Sequence, residues 1–574
     1  MQNRNSLLVA IAFAMVVGIF PATTLAQTTY LPLWSKESWL LDRLEIKAQR
    51  NNDLNLSTVK PYMRKAYIAV ADSFYAGLLR GENNANLSQV DQYNLVRMMA
   101  NSSEFSSFSS DTMNGRFSKK SAGTFYKTKA NMLEVDKQGF YMVINPAMSF
   151  QYGKENENDD GVYFASYGAS GRGLIGKSFA FQFFATGNRE NGPLPLRKYY
   201  DQHKALPGVG FFDTLSNGKG FSYFEFRGSV NTHITKYINV QFGYDQQFIG
   251  NGYRSLLLSN FSANHLFLKL NTRIWKLNYT NLYMQLSPTA SRSLNDFYQN
   301  KYASMHHLGL NATKWLNIGF FESVIFGREG RYDFSYLLPV IFLRSIEQQN
   351  GSPDNANIGF DIKANIGKKG QVYGQVIIDE FLKDEVSGGD YWWGNKQGFQ
   401  LGAKYVDAFG IKNLDLQGEF NQVRPFTYQF RDTTGNYTNH SQPLAHALGA
   451  NVREVTGIVR YQPFNKLYLF ARVNLWRQGL DSAGYNFGAN PNELYLSVQQ
   501  GGNRLRNDNY PMFSGKPADG LNASFTASYE WKENLFVELN AMYRRFEETD
   551  KPRATTTMVS VGFRWNMFRR DYDY

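Results

Sequence analysis

The sequence contains no cysteine in 574 residues. That excludes disulfides, thiolate metal sites, thiol nucleophiles and lipidation of an N-terminal cysteine, so an exported chain of this kind holds its fold by packing or strand pairing alone. Past the first 26 residues there is also no run of ~18 uninterrupted apolar residues, the length a membrane helix needs. If the chain spans a membrane, it does so with strands. Charged residues are scarce at 19%, against about 25% in a typical soluble domain. Calcium-loop repeats are missing, and ENENDDG (Glu155 to Gly161) reads as a solvated loop more than a calcium site. What is abundant is aromatic: 36 Tyr and 45 Phe bring the aromatic share to 16%, while mean hydropathy is −0.43.

The first 26 residues carry a short basic start (Arg4), the apolar run LLVAIAFAMVVGIF, and small residues Thr24 and Ala26 before a cleavage position. This is the pattern of a secretory signal cut after Ala26. Its removal leaves 60 Lys+Arg against 49 Asp+Glu, a balance of +11. Such a charge steers anionic partners toward the protein. Export argues against nucleic acid and leaves lipopolysaccharide, acidic polysaccharide or no specific anion.

From Leu31 to about Asn101 the period is helical. Ser35 caps a helix with Glu37 in its first turn, placing Leu40, Leu41, Leu44 and Ala48 on one face. A second helix starts near Pro61 and steps through Met63, Tyr67, Val70, Phe74 and Leu78. A third has Ser88 as N-cap and Asp91 three residues on. Residues 27–118 form a helical subdomain, and the serine-rich NSSEFSSFSSDTMNG within it reads as a linker.

The period then changes to two. In LYLFARVNLW, Leu467, Leu469, Ala471, Val473 and Leu475 share one face and Tyr468, Phe470, Arg472, Asn474 and Trp476 the other. NLDLQGEFNQ, LFVELNAMYRRF and MVSVGFRWNMF alternate in the same way. A soluble sandwich and a membrane barrel both produce alternation, and length decides between them. Many runs reach ten residues or more, as tilted membrane strands of about 9–11 residues require, whereas sandwich strands cluster near about five or six. Very short links at Phe464–Lys466 and Trp531–Asn534 contrast with long connections at 188–220 and 479–520, the asymmetry of outer-membrane barrels. Trp315, Trp531 and Tyr461 at strand ends suit interfacial girdles. The fold class is therefore an all-β membrane protein: an antiparallel transmembrane β-barrel of about eighteen strands over residues 119–574, with a small N-terminal α-helical subdomain.

FGYDQQFIGNGYRSLLLSNFSANHLFLKL (Phe242 to Leu270), KPYMRKAYIAV and NHSQPLAHALGANVRE resemble segments of the Wzi-type outer-membrane capsule assembly family, in spelling nearest to Bacteroidetes members such as the RemB-like gliding-motility proteins. The order of signal, helical region and barrel is similar too. The resemblance implies an eighteen-stranded barrel with helices at the periplasmic end, acting as a lectin-like, non-catalytic anchor for capsular or other surface polysaccharide. It implies outer-membrane lipid as surroundings, other envelope proteins as further partners, and no cofactor. Gliding or adhesion stays open as a role, as does an uptake channel, for which a wet inner face is equally suited.

The residues supply candidates of their own. Within FIGNGYRSLLLSN, Gly250 and Gly252 permit a turn, Leu256 and Leu258 are expected to face lipid, and Arg254, sharing their parity, to sit at the rim; Tyr253 and Arg254 are alternatively the lining of a sugar site. Trp392 and Trp393, in a loop, suit either stacking on sugar rings or an interfacial girdle. His440, His446 and Arg453 offer polysaccharide contacts, whereas adjacent His440 and Ser441 would diverge on a strand and so do not make a catalytic pair. His306 and His307 are expected to point to opposite faces, with no carboxylate at ligand spacing and hence no metal. Inward Arg472, Arg544 and Arg564 with Glu419 and Glu538 read as a charged lumen network.

Overall fold

The computed structural model describes residues 27–574 apart from 34, 109–124, 127, 129, 157, 217–218, 290–299, 329–330 and 381–389. The signal, residues 109–115 of the serine-rich linker and part of ENENDDG lie outside the described residues, while the linker's first half packs on the helical core through Phe105 and Phe108. Glu155, at the start of that acidic run, is engaged: its carboxylate accepts from the Leu194 N–H and from Arg197.

Eighteen antiparallel strands close into a barrel. They are β1 (Phe140–Glu155), β2 (Asn158–Ile175), β3 (Phe179–Asn191), β4 (Phe221–His233), β5 (Ile238–Asp245) and β6 (His265–Ile274). Next come β7 (Leu277–Leu286), β8 (Lys301–Asn311), β9 (Leu316–Gly327), β10 (Asn355–Ile366), β11 (Gly370–Glu380) and β12 (Lys396–Tyr405). The last six are β13 (Leu414–Val423), β14 (Val452–Phe464), β15 (Leu467–Leu480), β16 (Lys516–Lys532), β17 (Leu535–Glu548) and β18 (Ala554–Trp565). The ring closes where β18 pairs with β1, Trp565 opposite Met148 and Met558 opposite Glu155. Closure leaves no strand edge unpaired, the condition for crossing hydrocarbon with strands.

The two faces sort as the alternation requires. On β15, Val473 and Leu475 are exposed on the outer wall while Phe470, Arg472, Asn474 and Trp476 are buried within. Val537 and Leu539 of β17 and Val559, Val561 and Phe563 of β18 extend the same outer belt. Two-residue turns such as Asn465–Lys466 and Glu533–Asn534 mark one end of the barrel, and connections of up to 35 residues, 481–515 the longest, mark the other.

The four N-terminal helices lie at the short-turn end. α1 (Lys36–Ala48) is capped by the Ser35 side chain, and α4 (Gln89–Ala100) carries a full capping box between Ser88 and Asp91. Between them, α2 (Asn52–Asn55) is a single turn and α3 spans Arg64–Leu79. α3 starts after Pro61 rather than near it because Val59 and Lys60 are held extended in a ladder with Ile249 and Phe248. Leu40, Leu44, Ile68, Leu95 and Met99 form this region's core. Buried ion pairs dock it into the barrel mouth: Arg43 with Asp415, Lys36 and Arg97 with Glu530, and Lys363 with Glu45 at 2.8 Å. Asp91 binds Arg43 (2.9 Å) and Lys47 (2.7 Å). Burial raises its pKa, and those two cations outweigh the burial and hold it at about 2.

Candidate functional site: the filled lumen and its long-loop face

The segment 246–264 between β5 and β6 is not part of the wall. It folds into the lumen, and Leu256, Leu257 and Leu258 are all fully buried. They pack on inward residues of β6 to β9, namely Phe267, Leu282, Met305 and Phe321, and on Tyr428 and Tyr437 from the loop after β13. The expectation that Leu256 and Leu258 face lipid is therefore wrong. Parity assigns faces only to strands, and this segment is a loop lying in an apolar pocket of the barrel interior.

Its backbone is fixed on both sides. Gln375 of β11 accepts from the Leu256 N–H (3.0 Å) and donates to the Ile249 carbonyl (3.1 Å). The Tyr428 and Tyr437 hydroxyls donate to the carbonyls of Leu256 (3.0 Å) and Leu257 (2.5 Å). Gly252 is required by close approach, since a Cβ there would stand 2.3 Å from the Glu419 carboxylate. That carboxylate accepts from the N–H groups of Tyr253 (2.7 Å) and Arg254 (3.0 Å).

Arg254 is not at the rim either. It is buried in the lumen, where Nε and Nη2 donate to the two oxygens of Glu454 at 3.0 and 2.9 Å and Nη1 stands 3.0 Å from Asp573. Three charge-assisted contacts compensate its removal from water, which a rim position would not demand. Glu454 also meets His446 Nε2 (2.9 Å) and accepts from Asn474 (3.1 Å). The Tyr253 hydroxyl donates to Asp573 and accepts from Arg472, each at 2.5 Å. Asp573 belongs to the segment 566–574 after β18, which turns into the lumen and anchors Arg570 on Glu190 at 2.8 Å. Of the expected charged lumen network, Arg564 pairs with Glu538 (3.0 Å), Arg472 stands 3.8 Å from Asp573 and Glu419 grips the inward loop, whereas Arg544 donates to the Tyr574 carbonyl.

Three expected site residues thus converge on Glu454: Tyr253 through Asp573 and Arg254, Arg254 directly, and His446 directly. Arg453, next along β14, points outward, donating to Gln422 with its guanidinium over Phe513. His440 and Ser441 diverge, but as the corner of a tight hairpin, both with positive φ (50° and 56°), between Thr438–Asn439 and Gln442–Pro443. His440 stands edge-on to Phe211, and burial lowers its pKa to about 4. Gln442 pins the loop after β3 by donating to the Val209 carbonyl (2.7 Å) and accepting from the Gly208 N–H (2.8 Å).

Trp392 and Trp393 lie in the long-loop layer. Trp393 is enclosed by Tyr495 (4.7 Å), Phe426 (5.9 Å) and the Arg504 guanidinium (4.1 Å), and its backbone N–H donates to the Asn507 carbonyl. Trp392 packs on Trp393 at 5.6 Å and is half-buried. The pair joins the loops after β11, β13 and β15 into one layer over the barrel mouth.

His307 points inward to Asp361 (2.7 Å) and His306 outward to Glu322 (2.9 Å). The opposite faces were expected. The carboxylates were not, because they come from neighbouring strands and no spacing along one strand reveals them. Sequence reasoning likewise passed over Glu454 and Asp573 as partners. Alternation places Glu454 inward beside Thr456, but nothing local pairs it with an arginine 200 residues away.

No curated protein sequence matches the chain. Among solved structures, Wzi of Escherichia coli, an outer membrane protein involved in group 1 capsule assembly and a carbohydrate-binding β-barrel, aligns with TM-score 0.50 at 15% identity, covering 94% of this chain and 99% of its own. OprD of Pseudomonas aeruginosa aligns with TM-score 0.40 at 9% identity, covering 74% of this chain and 94% of its own. OccAB2 of Acinetobacter baumannii gives 0.40 and 9%, covering 77% and 99%. The family model for capsule assembly protein Wzi matches residues 146–547, well over half of the sequence and nearly all of the barrel, so the chain belongs to the Wzi capsule assembly family.

Proposed function

We propose that this protein binds and organises surface polysaccharide, capsular polymer first among them, at the outer face of a Gram-negative outer membrane, and that it does so without catalysis. The observation that carries the reading is the filled lumen of a Wzi-family barrel. An inward loop, a docked helical region and the 566–574 segment take up much of the space a porin keeps open and leave between them a cavity of about 460 Å³ lined by Tyr253, Arg254, Arg460, Arg564 and Arg569, so the long-loop face is left as the working surface. In this reading the short-turn end and its helices face the periplasm, and the domain boundaries are residues 27–118 and 119–574. Lipid surrounds the outer belt, and other envelope proteins meet the helical end.

The binding surface is the loop layer that holds Trp392 and Trp393, with Arg453 at its margin; indole rings and guanidinium groups together suit sugar rings and their anionic substituents. Tyr253, Arg254 and His446 support that layer from below, and His440 fixes its hairpin. Each contact is weak alone, but a polymer of repeated units multiplies them.

The test is a glycan array probed with purified protein in detergent. Binding to one or more bacterial surface polysaccharides is expected, with loss in a Trp392→Ala/Trp393→Ala variant that keeps its melting temperature. Retained binding in that variant removes the tryptophan layer as the site, and absence of binding to every polysaccharide removes the function.

A further inference from the structure

Midway along its strands the outer wall carries a polar row. Asn281, His306 and Glu322 stand side by side across β7, β8 and β9, Asn281 paired with His306 and His306 with Glu322, on the outward face. They lie four, five and six residues from the short-turn ends of their strands. Six residues from that end, β11, β12, β15 and β18 turn Val376, Phe399, Val473 and Val559 outward, and all four are exposed. Asn281, His306 and Glu322 are buried instead. An ionisable pair at this depth cannot face hydrocarbon bare.

What covers it is the connection between β9 and β10, which folds down over the outside of the barrel. The Phe342 and Leu343 N–H groups donate to the two oxygens of Glu322 at 2.8 and 3.0 Å, where α5 (Leu343–Gln349) begins. Ser304 donates to the Tyr336 carbonyl (2.8 Å) and Tyr283 to the Leu337 carbonyl (3.0 Å). Tyr336 and Leu343 are buried against Val324, Phe326 and Tyr302. The far side presents Phe334 (74% exposed), Leu338, Val340 and Phe342 (62% exposed).

The polarity of this segment is turned inside out relative to a water-exposed loop. Glu322, Ser304 and Tyr283 on the wall meet the Phe342 and Leu343 N–H groups and the Tyr336 and Leu337 carbonyls, Pro339 has no N–H to satisfy, and Phe334, Leu338, Val340 and Phe342 point away. Hydrocarbon favours backbone contacts that turn toward the wall in this way, because N–H and C=O groups find no water there. The exposed ridge also continues the outer belt at its own depth.

We propose that residues 334–342 lie in the outer leaflet and replace β7 to β9 as the lipid-facing surface, with acyl chains as the partner. The outward polar row serves to hold this flap, and the flap in turn keeps the Glu322–His306 pair out of lipid. The inference rests on the membrane orientation above and not on polysaccharide binding.

The chain has no cysteine, so single labelling sites are clean. Leu338→Cys, Val340→Cys and Phe342→Cys, each carrying a nitroxide in liposomes, are compared with Val473→Cys on the belt and Arg506→Cys in the long-loop layer. Collision with oxygen, which partitions into hydrocarbon, is expected to rise to the level at Val473, and collision with a water-soluble nickel chelate to fall from the level at Arg506. High nickel collision at all three flap positions would mean that the flap stands in water and overturns the proposal. Low collision with both reagents would mean that protein, such as a second copy, covers it, and equally overturns it. Labels at three separate exposed positions keep the test valid if one variant fails to insert.

Discussion

Removing Arg254 is the sharpest perturbation of the interior. Its guanidinium joins Glu454 by two bonds and Asp573 by a third, all buried. Arg254→Ala leaves Glu454 with only His446 and Asn474 and leaves Asp573 beside the more distant Arg472 (3.8 Å). Breaking a buried pair by deleting one partner costs about 3–5 kcal/mol, since the surviving charge stays desolvated. The wall of strands does not depend on this pair, so the loss falls on the inward loop 246–264. At about 1.4 kcal/mol per tenfold, about 4 kcal/mol shifts the docked-to-released ratio of that loop by roughly a thousandfold. Urea unfolding in detergent, followed by fluorescence, reads the loss, and limited proteolysis reads release of the loop. The companion variant Arg254→Met/Glu454→Leu should lose far less than the two single changes combined, because it leaves no unpaired charge at Glu454. An Arg254→Ala protein within about 1 kcal/mol of wild type, with the loop still protected, would refute the idea that these contacts seat it.

Three further outcomes follow from the same geometry. Leu257→Ala deletes a fully buried side chain inside the lumen cluster and should cost about 2–5 kcal/mol in the same titration. Val473→Arg puts a charge in the outer belt and should lower the folding free energy into phospholipid vesicles by about 2–4 kcal/mol, whereas Asn474→Ala next to it leaves the lipid face unchanged. His440 has a folded-state pKa of about 4, below its unfolded value of about 6.5. The unfolded hairpin therefore binds more protons as pH falls from about 6.5 to 4, and up to about 3 kcal/mol of local stability is lost across that window; hydrogen exchange at Thr438 to Pro443 should quicken there, and His440→Gln should abolish the dependence.

The strands were legible because each has one neighbour in lipid and one in the lumen. In β15 that contrast separates Val473 and Leu475 from Arg472, Asn474 and Trp476 without any knowledge of their partners. The Ser88–Asp91 capping box was equally local and equally clear. FIGNGYRSLLLSN was misplaced for a physical reason. A filled lumen offers apolar surroundings of its own, here Phe267, Met305 and Phe321, so three consecutive leucines mark an interior loop and not a lipid face. The same inward apolar residues show that the inner wall carries a greasy patch among its polar residues, which a single strand's alternation does not report. Arg254 with Glu454 and His306 with Glu322 join separate segments, and only the closed ring brings them together. The flap of residues 334–342 gave no sign of its place, because its apolar spelling fits a core segment as well as a lipid-facing one.

Planar-bilayer recording of the purified protein tests the central claim most directly, since a barrel that works through its outer loops has no need of a pore. With inward loop, helices and 566–574 segment all in place, insertion is expected to give no steady conductance above the bare membrane. Stable ohmic steps of porin size from the intact protein would contradict the filled lumen and, with it, the assignment of function to the long-loop face.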